Sequence, residues 1–204
     1  MTLEQLRLIY RDQAPSYDRA TWLVDSLLLN RLRREWLARA EGDVLEVAVG
    51  TGKNLEFYPP GCRVVGLDLA AEMLARAELR AGQLGRELPC TIGDAARLPY
   101  PGRRFDTVVS TLAACTFPDP VAAFVEMRRV LRPGGRILLI EHIRPRHPLF
   151  GTLIDAAAPY SIRAIGCTPN RDTPGNVRRA GLTITAQTEN VDGMVICLEA
   201  RPAA

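Results

Sequence analysis

Residues 46–52 read Glu46-Val47-Ala48-Val49-Gly50-Thr51-Gly52, an apolar run that ends in glycines. The run from Val44 to Val49 predicts a short buried strand, and the glycines mark a sharp turn toward a helix. Glycine at such a turn permits unusual backbone angles and lets a ligand touch the main chain. Eighteen residues beyond Gly50, at the end of a second apolar run from Val64 to Leu67, stands Asp68, a carboxylate suited to the two hydroxyls of a ribose. Loop and carboxylate together describe a nucleoside site. A dinucleotide fingerprint would continue G-x-G-x-x-G, but the frame here is Gly50-Thr51-Gly52-Lys53-Asn54-Leu55, without the third glycine, which argues against NAD.

On the C-terminal side, Ala71 to Leu84 is an alanine-rich helix that completes a β-α-β pattern. The alternation continues through Leu88–Ile92 and Phe105–Ser110. A helix follows, capped by Asp119 with Pro120 in its first turn and stopped at Arg132-Pro133-Gly134-Gly135, and then the apolar strand Arg136–Ile140. Asn176–Ala180 reads as a short helix. Thr183–Glu189 and Met194–Ala200 read as two strands joined by Asn190-Val191-Asp192-Gly193, whose Asp-Gly pair marks a hairpin. On the N-terminal side, Leu3–Arg11 and Leu23–Ala40 are amphipathic, the second with Leu23, Leu27, Leu28, Leu32 and Leu37 on one side and its arginines on the other. The expected fold class is α/β, a mostly parallel sheet with a reversed strand near one edge. Its ligand should lie beyond the carboxyl ends of strands one, two, four and five.

No repeat, low-complexity tract or linker divides the 204 residues, so residues 1–204 read as one domain. Within it, 1–40 form a helical cap, 41–143 the ligand-binding core, 144–173 a substrate-side cover and 174–204 a final helix and hairpin. A chain of this length buries roughly 70% of its unfolded surface, and 47% hydrophobic content excludes native disorder. No apolar stretch approaches the roughly 20 residues of a membrane span, and Met1 to Arg7 is acidic and amphipathic rather than a signal peptide, so the expected location is cytoplasmic. The net charge is +3, from 26 basic residues, of which Lys53 is the single lysine, and 23 acidic ones. The arginines are scattered and interleaved with acids, and only Arg31, Arg33 and Arg34 cluster, which excludes a nucleic-acid face. Cys62, Cys90, Cys115, Cys167 and Cys197 are odd in number and contain no C-x-x-C pair. With only His142 and His147 beside them, no metal site is expected, and a reduced compartment is implied.

Further along stand Gly93-Asp94-Ala95 with Leu98-Pro99, then Phe105-Asp106, then Leu131-Arg132-Pro133-Gly134-Gly135. With these motifs in order, nearly the whole chain resembles the class I S-adenosylmethionine-dependent methyltransferases, in the branch that includes quinone C-methyltransferases. The resemblance implies a Rossmann-like seven-stranded sheet with helices on both faces and N-terminal helices over the cofactor. It implies S-adenosyl-L-methionine (SAM) as cofactor and S-adenosyl-L-homocysteine as product. It places Glu46 near the methionine amino group, Gly50 and Gly52 under the cofactor with Ala48 and Asn54 in the same loop, and Asp68 on the ribose. Leu69 and Met73 would flank the adenine, Asp94 would accept from its amino group, and the Ala95 main chain would read the ring. Thr111 would approach the methionine portion. Tyr10, Tyr17 and Asp18 resemble a Y-x-x-x-A-x-x-Y-D element that folds over the cofactor, and Ala48 departs from the family's usual glycine.

Methyl transfer is an in-line displacement that requires alignment and exclusion of water, with a base only where the acceptor must lose a proton. Gly50 to Val64, Glu141-His142 and Gly166-Cys167 ahead of Arg171 look like alkyl-thiol S-methyltransferases of the methyltransferase-like family. Tyr10 to Asp18 and Glu46 to Gly52 are similar to bacterial phospholipid N-methyltransferases, which dock on membranes through an amphipathic N-terminal helix. Leu23–Ala40, with Trp22 and Trp36 near its ends, therefore has two readings, peripheral membrane contact or a cover over the sheet. His142 at the edge of strand five is the candidate catalytic base or acceptor-binding group, against a structural hydrogen bond there. Cys115, Cys167 and Asp172 are the other candidate acceptor-pocket residues. The expected activity is methyl transfer to a small hydrophobic acceptor, with a thiol favoured. The alternatives are phosphatidylethanolamine N-methylation, quinone or natural-product C- or O-methylation, and, from different classes, an NAD(P)-dependent oxidoreductase or a non-catalytic cofactor-binding protein. The oligomeric state is not legible in the sequence.

Overall fold

The apolar runs around the glycine loop become neighbouring parallel strands in the computed structural model, which describes residues 1–190 and 193–203. β1 (Asp43–Val47) pairs in parallel with β2 (Arg63–Asp68) on one side and with β4 (Phe105–Thr111) on the other. β3 (Cys90–Ile92), β5 (Leu131–His142), β6 (Leu182–Asn190) and β7 (Val195–Pro202) complete a seven-stranded sheet of order 3-2-1-4-5-7-6, with β7 antiparallel to both its neighbours. The expected closing hairpin is present, and Val191 and Asp192 of its expected turn lie outside the described residues. Strand order reverses between β1 and β4, so the connections leaving their carboxyl ends diverge and open a crevice there.

Burial on both faces explains why the central strands are apolar without alternation. Leu45 and Val47 of β1 join a core with Phe124 and Met127 of α5 (Pro120–Val130) and Val177 of α7 (Thr173–Arg179). Val44 and Val49 join the opposite core with Leu74, Ala77 and Ala81 of α4 (Ala71–Gln83). The α5 start is as expected, with the Asp119 side chain accepting from Ala122 N at 2.9 Å and Pro120 in the first turn. Its end differs, because β5 begins at Leu131 directly and absorbs Arg132–Gly135 as an irregularity between its Leu131 and Arg136 pairings.

Other departures have local causes. Between β1 and β2 there is only a 3-10 turn, Leu55–Phe57, because Pro59 and Pro60 cannot continue a helix. The region 144–173, in which no helix was expected, holds α6 (Pro148–Ile165). Pro148 sits in its first turn, where a missing N–H costs nothing, and Gly166 ends the helix at φ +71°. The N-terminal cap is α1 (Leu3–Gln13), then α2 (Tyr17–Val24), a π-helical turn (Asp25–Leu29) and α3 (Asn30–Leu37).

That π turn overturns the expected leucine stripe. One inserted residue rotates the face after it by about 100° relative to the face before it. Leu29, Leu32, Trp36 and Leu37 therefore point inward, while Leu23 and Leu27 are 57% and 70% exposed and Arg33, assigned to the polar side, is only 5% exposed. No helix among the described residues is long and apolar enough to cross a membrane.

Candidate cofactor and acceptor site

At the carboxyl ends of β1, β2 and β4 a cavity is walled by Ala48, Gly50, Asp68, Leu69, Met73, Asp94, Ala95 and Thr111, with Leu6, Tyr10 and Tyr17 of the cap above it. Gly50 has φ +57°, and a Cβ built there would meet nothing within 4 Å, so the loop leaves room for a ligand against its main chain. Gly52 does something else. With φ +76°, a Cβ there would lie 3.1 Å from the Ala77 Cα, so this glycine seats the loop on α4. Ala48 holds φ +58°, a conformation that costs an L-residue about 1–2 kcal/mol and accounts for glycine being usual there.

Asp68 is 8% exposed, and its Oδ2 accepts from Gly50 N at 2.9 Å while Oδ1 accepts from Ala70 N at 3.0 Å. Burial pushes its pKa up, and these backbone donors pull it back. Each carboxylate oxygen retains a second lone pair, so the residue can hold the glycine loop and still accept from two ribose hydroxyls. Asp94, facing the same cavity, is fixed by Ala96 N on its Oδ1 at 2.9 Å.

Beneath Thr111 the cavity continues into a polar recess lined by Arg33, Glu46, Lys53 and Asn54. Glu46 is buried in β1 and accepts from Asn54 Nδ2 at 2.7 Å and from the Tyr58 hydroxyl at 2.8 Å, and burial raises its pKa to about 7. Asn54 also donates to Thr111 Oγ1 at 2.9 Å and accepts from Arg33 Nε at 3.0 Å. Arg33 reaches Asp25 at 2.7 Å, and Lys53 bonds Asp25 and Thr21. Asp18 accepts from the Thr51 hydroxyl at 2.6 Å and pairs with Arg80 at 2.5 Å. The cap is thus latched to the glycine loop through charged side chains. Lys53, the single lysine, belongs to this latch. Both cations of the recess, Arg33 and Lys53, are held by Asp25, and sequence reasoning missed Arg33 because the π turn that buries it leaves no sequence pattern.

A second cavity shares Tyr10, Tyr17, Leu112 and Thr116 with the first and extends past Ile165 to Cys115, His142 and Cys167. His142 Nε2 lies 2.9 Å from Cys167 Sγ. The hydrogen bond from Cys115, and then that from His142, lowers the Cys167 thiol to about 5, whereas the Cys115 thiol, donating that bond and buried, is held well above its ordinary value. Burial pulls His142 down, but its bond to Cys167 and the charges of Cys167 and Glu141 leave its pKa raised. Glu141 Oε1 accepts from Ala113 N at 3.1 Å and Ala114 N at 3.0 Å, fixing the loop after β4. Asp172 does not join these groups: it is exposed and caps α7, accepting from Gly175 N at 2.9 Å.

A crevice at a strand-order reversal, a carboxylate at the end of β2 and a polar recess beside them are the features expected of a site for a nucleoside joined to an amino acid. The comparisons agree. Residues 45–139 match the methyltransferase domain family. The chain is 35% identical to demethylmenaquinone methyltransferases of Deinococcus radiodurans, over 75% of this chain and 66% of that one, and of Thermus thermophilus, over 70% and 68%. It is 40% identical to a phosphatidylethanolamine N-methyltransferase of Cereibacter sphaeroides over 53% of this chain and 55% of that one. An S-adenosylmethionine-dependent methyltransferase from Clostridium acetobutylicum shares the fold, with a TM-score of 0.68 at 13% identity, over 92% of this chain and 99% of that one. The chain belongs to the class I S-adenosylmethionine-dependent methyltransferases. It spans 66% of the Deinococcus protein and 55% of the Cereibacter protein.

Proposed function

We propose that the chain transfers a methyl group from SAM to a lipophilic acceptor taken from a membrane surface, with a quinol ring as the first choice. The observation that carries this is the placement of apolar surface around the second cavity. Tyr17, Ala20 and Thr21 of α2 line that cavity, while Trp22, Leu23 and Val24 of the same helix and Leu27 beyond it are exposed to solvent. Ile165, at its far side, ends a helix whose Leu149, Phe150 and Leu153 are likewise exposed. Exposed apolar residues on a helix that lines the cavity suit entry of an acceptor from a lipid phase.

The residues present fit SAM. Gly50 leaves space at the loop, Asp68 has lone pairs to spare, and Glu46, Arg33 and Lys53 complement the methionine end. When bound, the cofactor supplies a methyl on a sulfonium that departs as a neutral thioether. Tyr10 and Tyr17 lie between the two cavities and exclude water from the line of transfer. A quinol that has lost a hydroxyl proton forms the new bond to the methyl through its ring carbon, which then gives up its own C–H proton, whereas an ammonium headgroup must lose a proton to free its nitrogen lone pair. His142, paired with Cys167 at the second cavity, is the proton acceptor on that side.

The quinone relatives, matched over the larger share of this chain, favour a ring carbon, and the Cereibacter relative supports phosphatidylethanolamine as the second reading. The thiol preference drawn from the sequence finds no support among these relatives. The test is release of S-adenosylhomocysteine with demethylated naphthoquinols, phosphatidylethanolamine vesicles and alkyl thiols. Naphthoquinol should turn over fastest and yield a C-methyl product. Turnover with thiols alone would refute the reading.

A further inference from the structure

We propose that Cys115, His142 and Cys167 bind a thiophilic divalent cation of the zinc class, with one coordination position open to the second cavity. The three residues lie 27 and 25 positions apart, after β4, at the end of β5 and after α6, so no spacing motif announces them. The fold brings one His nitrogen and two sulfurs within 4.8 Å of one another, and the closest pair, His142 Nε2 and Cys167 Sγ, is 2.9 Å apart. Tetrahedral zinc, with bonds of about 2.3 Å to sulfur and about 2.0 Å to nitrogen, requires ligand atoms roughly 3.5–3.8 Å apart. Closing the set on an ion therefore takes side-chain shifts of about 1 Å or less.

The chemistry of the set is selective. Two sulfurs and an imidazole suit zinc over magnesium or calcium, which want oxygen. Cys115, in the turn after β4, and Cys167, just past the end of α6, are 2% and 7% exposed. Two thiolates neutralise a divalent ion, while Arg171, bonded to the Cys115 carbonyl at 3.0 Å, and Glu141 offset each other nearby. Three protein ligands leave a fourth position, and the same three side chains line the second cavity. The cation and the proton shared by His142 and Cys167 compete for the same lone pairs, so loading replaces a proton acceptor by a Lewis acid at that point. The open position's role toward an acceptor rests on the function proposed above; metal binding does not.

The experiment is a cobalt(II) titration of the whole chain, stripped of metal with a chelator and reduced with a phosphine. The expected result is a thiolate-to-cobalt charge-transfer band that saturates at one equivalent and is abolished by one equivalent of zinc. Cys115→Ser and Cys167→Ser should each lose the band while still binding SAM by calorimetry. Absence of the band in the wild-type chain overturns the site, whether or not the variants fold. A small alkyl thiol added to the cobalt-loaded chain should shift the band, and an unshifted band overturns the open position. Loss of methylation of every acceptor class with the cobalt band intact would sink the proposed function and leave the metal site standing.

Discussion

Glu46→Gln should stabilise the chain and weaken its hold on SAM. Glu46 keeps its proton to about pH 7 when folded, against an ordinary value of 4.5. A carboxyl of this kind is still protonated in the folded chain over an interval in which the unfolded chain has lost its proton. Its contribution is therefore fully present below about pH 4.5 and is lost as pH rises through about 7. At about 1.4 kcal/mol per unit the full penalty at pH 8 is about 3 kcal/mol. Glutamine keeps an oxygen for Asn54 and can donate its amide to the Tyr58 hydroxyl, so the packing survives. Thermal unfolding of the ligand-free variant at pH 8 should rise by roughly 2–10 °C for a gain of about 1–3 kcal/mol, and the gain should vanish near pH 4.5. Calorimetry should show SAM binding weakened by about 1.5–3 kcal/mol at pH 8, the scale of a hydrogen bond to a charged group. Wild-type affinity should climb as pH rises toward 7, and the variant's should not. A variant less stable than wild type at pH 8, or one with unchanged affinity and pH dependence, would refute the assignment of Glu46 to the methionine ammonium.

Asp68→Ala should cost SAM binding a few kcal/mol, roughly 1.5–3 for each hydrogen bond to the carboxylate, and undiminished calorimetric affinity would place the ribose elsewhere. Gly52→Ala should destabilise the chain more than Gly50→Ala in urea unfolding, because both incur the positive-φ cost but only Gly52 meets the α4 backbone; equal losses would argue against Gly52 as the seat of the loop. Arg33→Met, which leaves Asp25 to Lys53 alone, should cost about 3 kcal/mol of stability, and a neutral result would mean that the latch contributes little. Trp22→Glu with Leu27→Glu should reduce sedimentation with phosphatidylethanolamine and phosphatidylglycerol vesicles at unchanged SAM affinity, and full retention on vesicles would remove the membrane-facing role. His142→Ala should bind SAM normally and lose turnover, and an intact rate would leave His142 structural.

The strands, the capped α5 and the nucleoside loop were legible because each depends on short-range chemistry. An apolar run buried on both faces, a Pro after an Asp and a glycine before an open crevice leave the same mark wherever they occur. Asp68 and Glu46 could be placed because they end or interrupt such runs. Asp172 was misassigned for a related reason: an exposed acid that caps a short helix looks, in sequence, like any other polar residue near a cover loop. The inward turn of Arg33 and the outward turn of Leu23 and Leu27 depend on one residue inserted by a π turn, and sequence periodicity cannot reveal a phase change of that kind.

By itself, then, the sequence determined the alternation of strands and helices, the loop that receives a nucleoside and the family to which the chain belongs. Only the tertiary structure decided how the charged cap closes on that loop and which side chains meet at the second cavity. Arg33, Lys53, Asn54 and Glu46 come together from a helix, a loop and a strand, and Cys115, His142 and Cys167 come from the turn after β4, the end of β5 and the loop after α6. The physical reason is common to both. Hydrogen bonds and metal–ligand bonds act over about 2–3 Å in space, whereas sequence patterns report only neighbours along one element.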